Sequence, residues 1–309
     1  MLDYLHLPDS PNGTVDYFPG ISNTDGGSWI AWDKPTGAHM IRIMCIAGGG
    51  GGGSGHSSNT TGSRGGGGGG GSSAISIVTI PAYVLPDRLY ISSGIGGKGG
   101  DANPAAGTAN LGSDGVRSYV CIAPDSSVSY RVCYADSGKA GVTSATSAAG
   151  GNPGTAGLVA TINDMTFASY GLRDFLAGQA GTAGGVSSPG SVTYPATGLL
   201  VSGGVGGNGG ITTSSTPTLN APTQTPYVIF SSLVTVAGSG INGQPGREIY
   251  QPLLSTGGTG GTANSSTGSG GNGGDGGFGS GGGGGGAGGA GAAGGGGKGG
   301  NGLVIIHSW

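Results

Sequence analysis

The residues able to do chemistry are few and scattered. The chain carries one Glu, Glu248, and 13 Asp. General acid–base catalysis needs positioned groups with tuned pKa values, and no two carboxylates stand together as a pair. Asp9, Asp25, Asp101, Asp114 and Asp275 sit beside Gly, Ser, Asn or Pro, the company of turn residues. His6, His39, His56 and His307 lie far apart, with no Cys or carboxylate at the spacing of a zinc site. Cys45, Cys121 and Cys133 are odd in number, and each falls in an apolar, strand-like run. Cys121 and Cys133 flank a prospective turn and could pair across it. Buried free thiols are the preferred reading, consistent with assembly in a cytoplasm. Gly97-Lys98-Gly99 and Gly297-Lys298-Gly299 fail as phosphate loops, because Gly stands where that loop needs a magnesium-binding Ser or Thr. Strings such as G-x-S-x-G or G-x-G-x-x-G carry no weight among 79 glycines. The sequence therefore assigns no catalytic, cofactor-binding or metal-ligating residue, and predicts a protein that is not an enzyme.

Composition narrows the classes further. The 79 Gly and 16 Pro make up about 31% of 309 residues, against roughly 12% in an ordinary domain. A helical or α/β enzyme does not fit, since each helical Gly costs about 0.5–1 kcal/mol relative to Ala. Eleven Lys and Arg spread along a chain of net charge −3 build no basic patch for nucleic acid. No apolar run reaches the roughly 18 residues of a membrane span. No basic, apolar secretory leader is visible at Met1-Leu2-Asp3-Tyr4. A charged disordered chain is excluded by 8% charged and 34% hydrophobic residues.

The glycine repeats every three residues. Ile95–Asp101, Ser202–Ile211 and Thr256–Thr262 are Gly-Gly-X runs, and from Gly270 to Gly300 every third residue is Gly. Asn272, Asp275, Phe278, Ala287, Ala290 and Ala293 share one phase there. Period three suits the extended helix of three residues per turn, which has no internal hydrogen bonds. Its backbone groups must find neighbouring chains or water. Gly at two of three positions lets such helices pack side by side. Collagen is excluded, as Gly270–Gly300 has no Pro. Packed polyglycine-II-type helices are the favoured reading, with ordered Gly-rich β-loops and disorder as the alternatives.

Strands lie between these runs. Met40–Ala47, Ala74–Ile80, Arg88–Ser92, Arg117–Ala123, Val128–Ala135, Leu199–Ser202, Tyr227–Ala237 and Leu303–His307 are short and rich in β-branched or aromatic residues. Pro124-Asp125-Ser126-Ser127 reads as the turn of a hairpin. Asp164–Ala177 is the one helical candidate, weakened by Gly171. The fold expected is all-β: a thin β-sandwich-like body with short strands and Gly-Gly-X segments, and almost no α-helix. Residues 1–27 are expected to form an extended N-terminal arm. Residues 28–309 form a single glycine-rich β domain, with looser insertions at about 103–200 and 212–255. Trp29 and Trp32 are expected to cap the first strand, and Trp309 to close the same core. The polar segments 101–116, 138–155, 178–197 and 212–226 are candidates for display, suited to glycan contact.

The order of features resembles a known family. Trp29-Ile30-Ala31-Trp32-Asp33-Lys34-Pro35-Thr36-Gly37-Ala38 precedes a strand that runs straight into Gly48–Gly53. Ser63-Arg64, Gly65–Gly71, Leu89–Gly97 and the closing Gly302-Leu303-Val304-Ile305-Ile306 follow in turn. This is similar to the glycine-rich domain of bacteriophage tail and tail-fibre proteins, and to glycine-rich phage adhesins. The ends of the chain carry the likeness, and 103–255 matches loosely. The resemblance implies a virion structural protein of a tail fibre or spike that contributes to binding a bacterial surface receptor, a glycan or outer-surface protein. It implies other virion proteins as partners, attachment to the virion through the arm 1–27, assembly in the host cytoplasm, a homotrimer, and no catalytic residues. The short lead-in and the missing attachment domain of the adhesins suggest a separate small subunit. A capsid vertex or decoration protein is the alternative. An ice- or surface-binding protein is a further one, with Thr256, Thr259 and Thr262 as its row.

Overall fold

The structure is a computed structural model. It describes residues 13–57, 64–104, 109–143, 154–155, 157, 171–185, 201–204, 206–207, 240–250, 253–264 and 268–309. Among these the protein is all-β, with two single-turn 3-10 segments and no α-helix. The strands are β1 (Thr14–Pro19), β2 (Ile30–Asp33), β3 (Met40–Ile46), β4 (Ile75–Pro81), β5 (Arg88–Ser92), β6 (Ser118–Cys121), β7 (Arg131–Ala135), β8 (Leu172–Leu176), β9 (Glu248–Tyr250), β10 (Leu253–Ser255) and β11 (Leu303–Ser308).

Two antiparallel sheets pack face to face. One has the order β1-β11-β3-β4-β8 and the other β2-β5-β6-β7. Alternation sets the contact: Ile41, Ile43 and Cys45 of β3, Val304 and Ile306 of β11, and Val78 and Ile80 of β4 meet Trp32, Leu89, Ile91, Val120, Val132 and Cys133. The five-stranded sheet is buried on its other face too. There Met44, Ile46, Ile75, Ile77, Leu303 and Ile305 pack on Val201, Leu253 and Phe278. Burial on both faces explains why β3, β4 and β11 read as continuous apolar runs rather than alternating ones.

Every strand of the sandwich but β1 and β2 opens into a glycine run at the same end. The register aligns Leu303 with Ile46, Ile46 with Ile75, and Ile75 with Leu176. Gly48–His56 leaves β3 at this end, 65–73 enters β4, and 294–302 enters β11. Segments 94–100, 110–116, 136–142 and 178–185 do the same for β5, β6, β7 and β8.

These segments are three-residue helices bonded to one another. From Gly48–His56, Gly49 and Gly52 donate to the carbonyls of Gly300 and Gly297. Gly50 and Gly53 donate to Gly71 and Gly68, and Gly48 and Gly51 to Val116 and Ser113. Each phase of the period serves a different neighbour. The carbonyls of Gly48, Gly49 and Gly50 accept from three further segments, through Gly138, Gly97 and Gly282. This helix is thus surrounded by six others in a hexagonal arrangement. Residues 65–73 and 279–288 are similarly enclosed, and the three central helices bond to each other through Gly50–Gly71, Gly282–Gly50 and Gly67–Gly285.

Enclosure sets how much glycine each helix needs. A Cβ on Gly50, Gly51 or Gly52 would run into the backbone of Lys139, Lys98 or Gly283 respectively. Three blocked directions demand the uninterrupted Gly48–Gly53, Gly65–Gly71 and Gly281–Gly286. Helices with one open side follow Gly-Gly-X. Outer helices keep one glycine per turn, as in Gly112/Gly115, Gly138/Gly141, Gly178/Gly181/Gly184 and Gly240/Gly243/Gly246. The described parts of 103–200 hold outer helices of this sparser period beside β6, β7 and β8.

Some expectations change. The described part of the helical candidate, Leu172–Leu176, is β8, paired with the free edge of β4; that edge outweighs a weak local helix preference. Val201 and Ser202 begin a three-residue helix instead of a strand, and Tyr227–Ala237 lies outside the described residues. The hairpin of β6 and β7 forms as expected, with Val120 opposite Cys133 and a bulge between Val120 and Cys121. Of the proposed arm, residues 14–19 are β1, paired along its whole length with β11.

Candidate functional site

Where a helix lacks a neighbour on one side, a short polar side chain takes its place. Asn301 Oδ1 accepts from Gly96 N at 3.1 Å, Asn272 Oδ1 from Gly295 N at 2.8 Å, and Asp275 Oδ1 from Lys298 N at 2.8 Å. Asp114 caps Ala140, and Ser113 caps Lys98. Most of these are X positions of triplets. The sequence signal was present as Asn, Asp, Ser or Thr at that phase, but its role required knowing which direction faced outward.

The row Thr256, Thr259 and Thr262 is inward. The three hydroxyls accept from Arg247, Gln244 and Ile241 at 2.9, 2.6 and 2.6 Å, and all three residues are buried. They present no regular outer face to ice.

One open lattice direction leaves a groove of about 390 Å³ between segments 98–102, 272–275 and 295–298. Its floor is glycine backbone, and Lys98, Asp101, Asn272, Asp275 and Lys298 line it. Two cations and two carboxylates balance, and among the described residues neither lysine makes an ion pair. The groove can exchange hydrogen bonds with a polar ligand.

The far ends of the helices converge at a tip. Chain order places His56, residues 101–104, Val142, Gly185, Gly207, Asn264 and Gly288 there. Arg64 is buried, Ser57 Oγ donates to the Pro104 carbonyl at 2.8 Å, and Asn103 bridges to Ala293. Burial first, and the Arg64 cation second, hold the His56 imidazole below its ordinary pKa. At the opposite end of the sandwich Thr14 stands beside Ser308, and Ser308 beside Ile41.

The remaining candidates are structural. Glu248 Oε1 accepts from Phe278 N at 2.9 Å. His307 is buried and stacks on Trp309 with ring centroids 4.7 Å apart. Trp32 is a core residue within β2 itself, and Trp29 rests on Tyr119. His6 lies outside the described residues. All three cysteines are buried and free. Among the described residues no group of His, Cys, Asp or Glu could hold a metal, and no helix is long and apolar enough to cross a membrane. Of the display segments, 101–104 and 142–143 reach the tip, 110–116, 138–141 and 178–185 are lattice helices, and 212–226 lies outside the described residues.

A family model described as a glycine-rich domain matches residues 23–309. No curated protein matches the chain.

Proposed function

The chain belongs to the glycine-rich domain family, and from that premise we propose that it is a non-enzymatic structural protein of a bacteriophage virion, in a tail fibre or spike, that contributes to binding a receptor on the bacterial surface. The observation that carries this reading is its polarity. The described far ends of the helices gather at one tip, and β1 begins at the opposite end of the sandwich. One end can dock on other virion proteins while the other meets a surface. The helices between rise about 3.1 Å per residue, so Gly48–His56 alone holds the tip about 25 Å from the sheets. Segments rich in Ser, Thr and Asn, with little charge, suit glycan or protein contact through backbone and hydroxyl groups.

In this proposal the chain assembles in the host cytoplasm, is carried in the virion, and functions as a homotrimer. The test is antibody labelling of phage particles in the electron microscope, joined to adsorption assays in which purified protein competes with phage. Label at a fibre tip together with competition supports the proposal. Label on the shell without competition replaces it with a capsid vertex or decoration role. Light scattering of the purified chain reads the trimer directly.

A further inference from the structure

We propose that Cys45 and Cys133 are the site of a disulfide that joins the two sheets when the chain folds in the presence of a small-molecule disulfide such as oxidised glutathione. The two residues belong to opposite sheets, Cys45 to β3 and Cys133 to β7, and both point into the same core with no exposed surface. Cys133 Sγ donates to the Ser76 carbonyl at 3.6 Å, and Ser76 is the residue paired with Cys45 between β3 and β4. Burial first, and the neighbouring Cys133 thiol second, raise the Cys45 pKa, as expected of two side chains that lie close together. A disulfide needs Cα atoms within about 4.4–6.8 Å, closer than the usual 10 Å between packed sheets. The small side chains of Ala47 and Ala135, in the same core, permit that approach, and Cα atoms of β3 and β7 come within 8 Å.

Cys121 is not the partner. Val120 opposes Cys133 and shares its face, so the next residue turns to the other side, and the bulge shifts it to oppose Arg131. The hairpin pairing of Cys121 with Cys133 suggested by sequence spacing is therefore disfavoured by register.

The chemistry balances with the oxidant named. One thiolate attacks a sulfur of glutathione disulfide and releases one glutathione thiolate. The second cysteine, deprotonated, attacks the mixed disulfide and releases the other. Two protein thiols are oxidised, and the two protons they lose are taken up by the two glutathione thiolates, which become two glutathione thiols. Exchange requires thiolate and access, and burial holds Cys45 well above its ordinary pKa. The bond therefore forms during folding, before the core closes, and in a reducing compartment the pair stays as two thiols.

The full chain decides it. Denatured, reduced protein is refolded in a glutathione redox buffer, remaining thiols are alkylated, and tryptic peptides are mapped without reduction. Cleavage after Arg42, Arg64, Arg117, Arg131 and Lys139 puts each cysteine in its own peptide. The expected product is residues 43–64 joined to 132–139, with 118–131 alkylated. Refolded Cys121→Ala keeps the same link. Alkylation of all three cysteines after oxidative refolding overturns the proposal, as does a bridge that contains Cys121.

Discussion

The Gly96 N–H donates to Asn301 Oδ1, and one turn further along the same pair of helices the position of Asn301 is taken by Lys298. Lysine has no acceptor. Among the described residues Gly99 N–H meets no acceptor there, and the groove begins. On the facing helix, Asn272 and Asp275 close the ladder at Gly295 and Lys298. Removing both caps with Asn272→Ala and Asp275→Ala should lower stability by about 1–3 kcal/mol in total. It should also free a row of donors that can pair with another chain, as an open sheet edge does. Thermal melts and size-exclusion light scattering read the two effects; an unchanged, monodisperse double variant would contradict the capping role.

Glycine substitutions should separate by enclosure. Gly52→Ala places a Cβ against the Gly283 backbone, which has no rotamer to yield. Overpacking of that kind costs about 1–3 kcal/mol or more. Gly37 has φ +85° but nothing within 4 Å of an added Cβ. Gly37→Ala should therefore cost only the left-handed penalty of roughly 1–2 kcal/mol. Denaturant midpoints that rank Gly37→Ala below Gly52→Ala would refute this ordering.

A polar side-chain contact links the outer strand β1 to the opposite sheet. Trp32 Nε1 donates to Asp16 Oδ2 at 2.8 Å, tying β1 to the other sheet. Asp16→Ala removes a hydrogen bond to a charged group and should cost about 1.5–3 kcal/mol. Trp32 emission should shift to the red as β1 loosens. A spectrum and melt identical to the parent would mean the contact contributes nothing.

Acid should loosen the tip. Burial lowers the His56 pKa in the fold, so below the free value of 6.5 the unfolded chain binds more protons than the native one. Stability from this group is full above 6.5 and falls as pH drops from there through the folded pKa. Between pH 7 and pH 5 the parent should lose more of its Tm than His56→Gln. Parallel Tm profiles would remove His56 as the cause.

The thiols should be silent in the native state. Burial pushes Cys121 up to about 12 and Cys45 well above its usual value. At pH 8 an alkylating reagent should modify none of the three in the folded, reduced protein and all three in denaturant. Rapid native labelling, read by mass, would show that the core opens more than its packing implies.

Much of this architecture was readable in the residues themselves. Met40–Ile46, Arg88–Ser92 and Leu303–Ser308 declare themselves because they are apolar runs stopped by glycine. The Gly-Gly-X period gives the lattice. What escaped was whatever only a neighbour defines. β1 and β2 lack an apolar run and become strands because β11 and β5 offer them free edges. β8 takes its form from β4. The single glycines at 112, 115, 138 and 141 fall in segments that read as polar display segments, since nothing local shows that one face of an outer helix is blocked. The groove was unreadable for the same reason: Lys98 and Lys298 are 200 positions apart, and only the lattice brings them to one opening.

The direct run of β3 into Gly48–His56, and of 65–73 into β4, has a mechanical consequence. No linker separates the sheets from the lattice, so a pull on the tip passes along covalent chain into the strands. Each central helix shares that load with six neighbours through bonds that lie across the pull, which must slide in shear before any helix leaves. The protein should transmit force from its tip as a stiff strut with no hinge, and yield all at once.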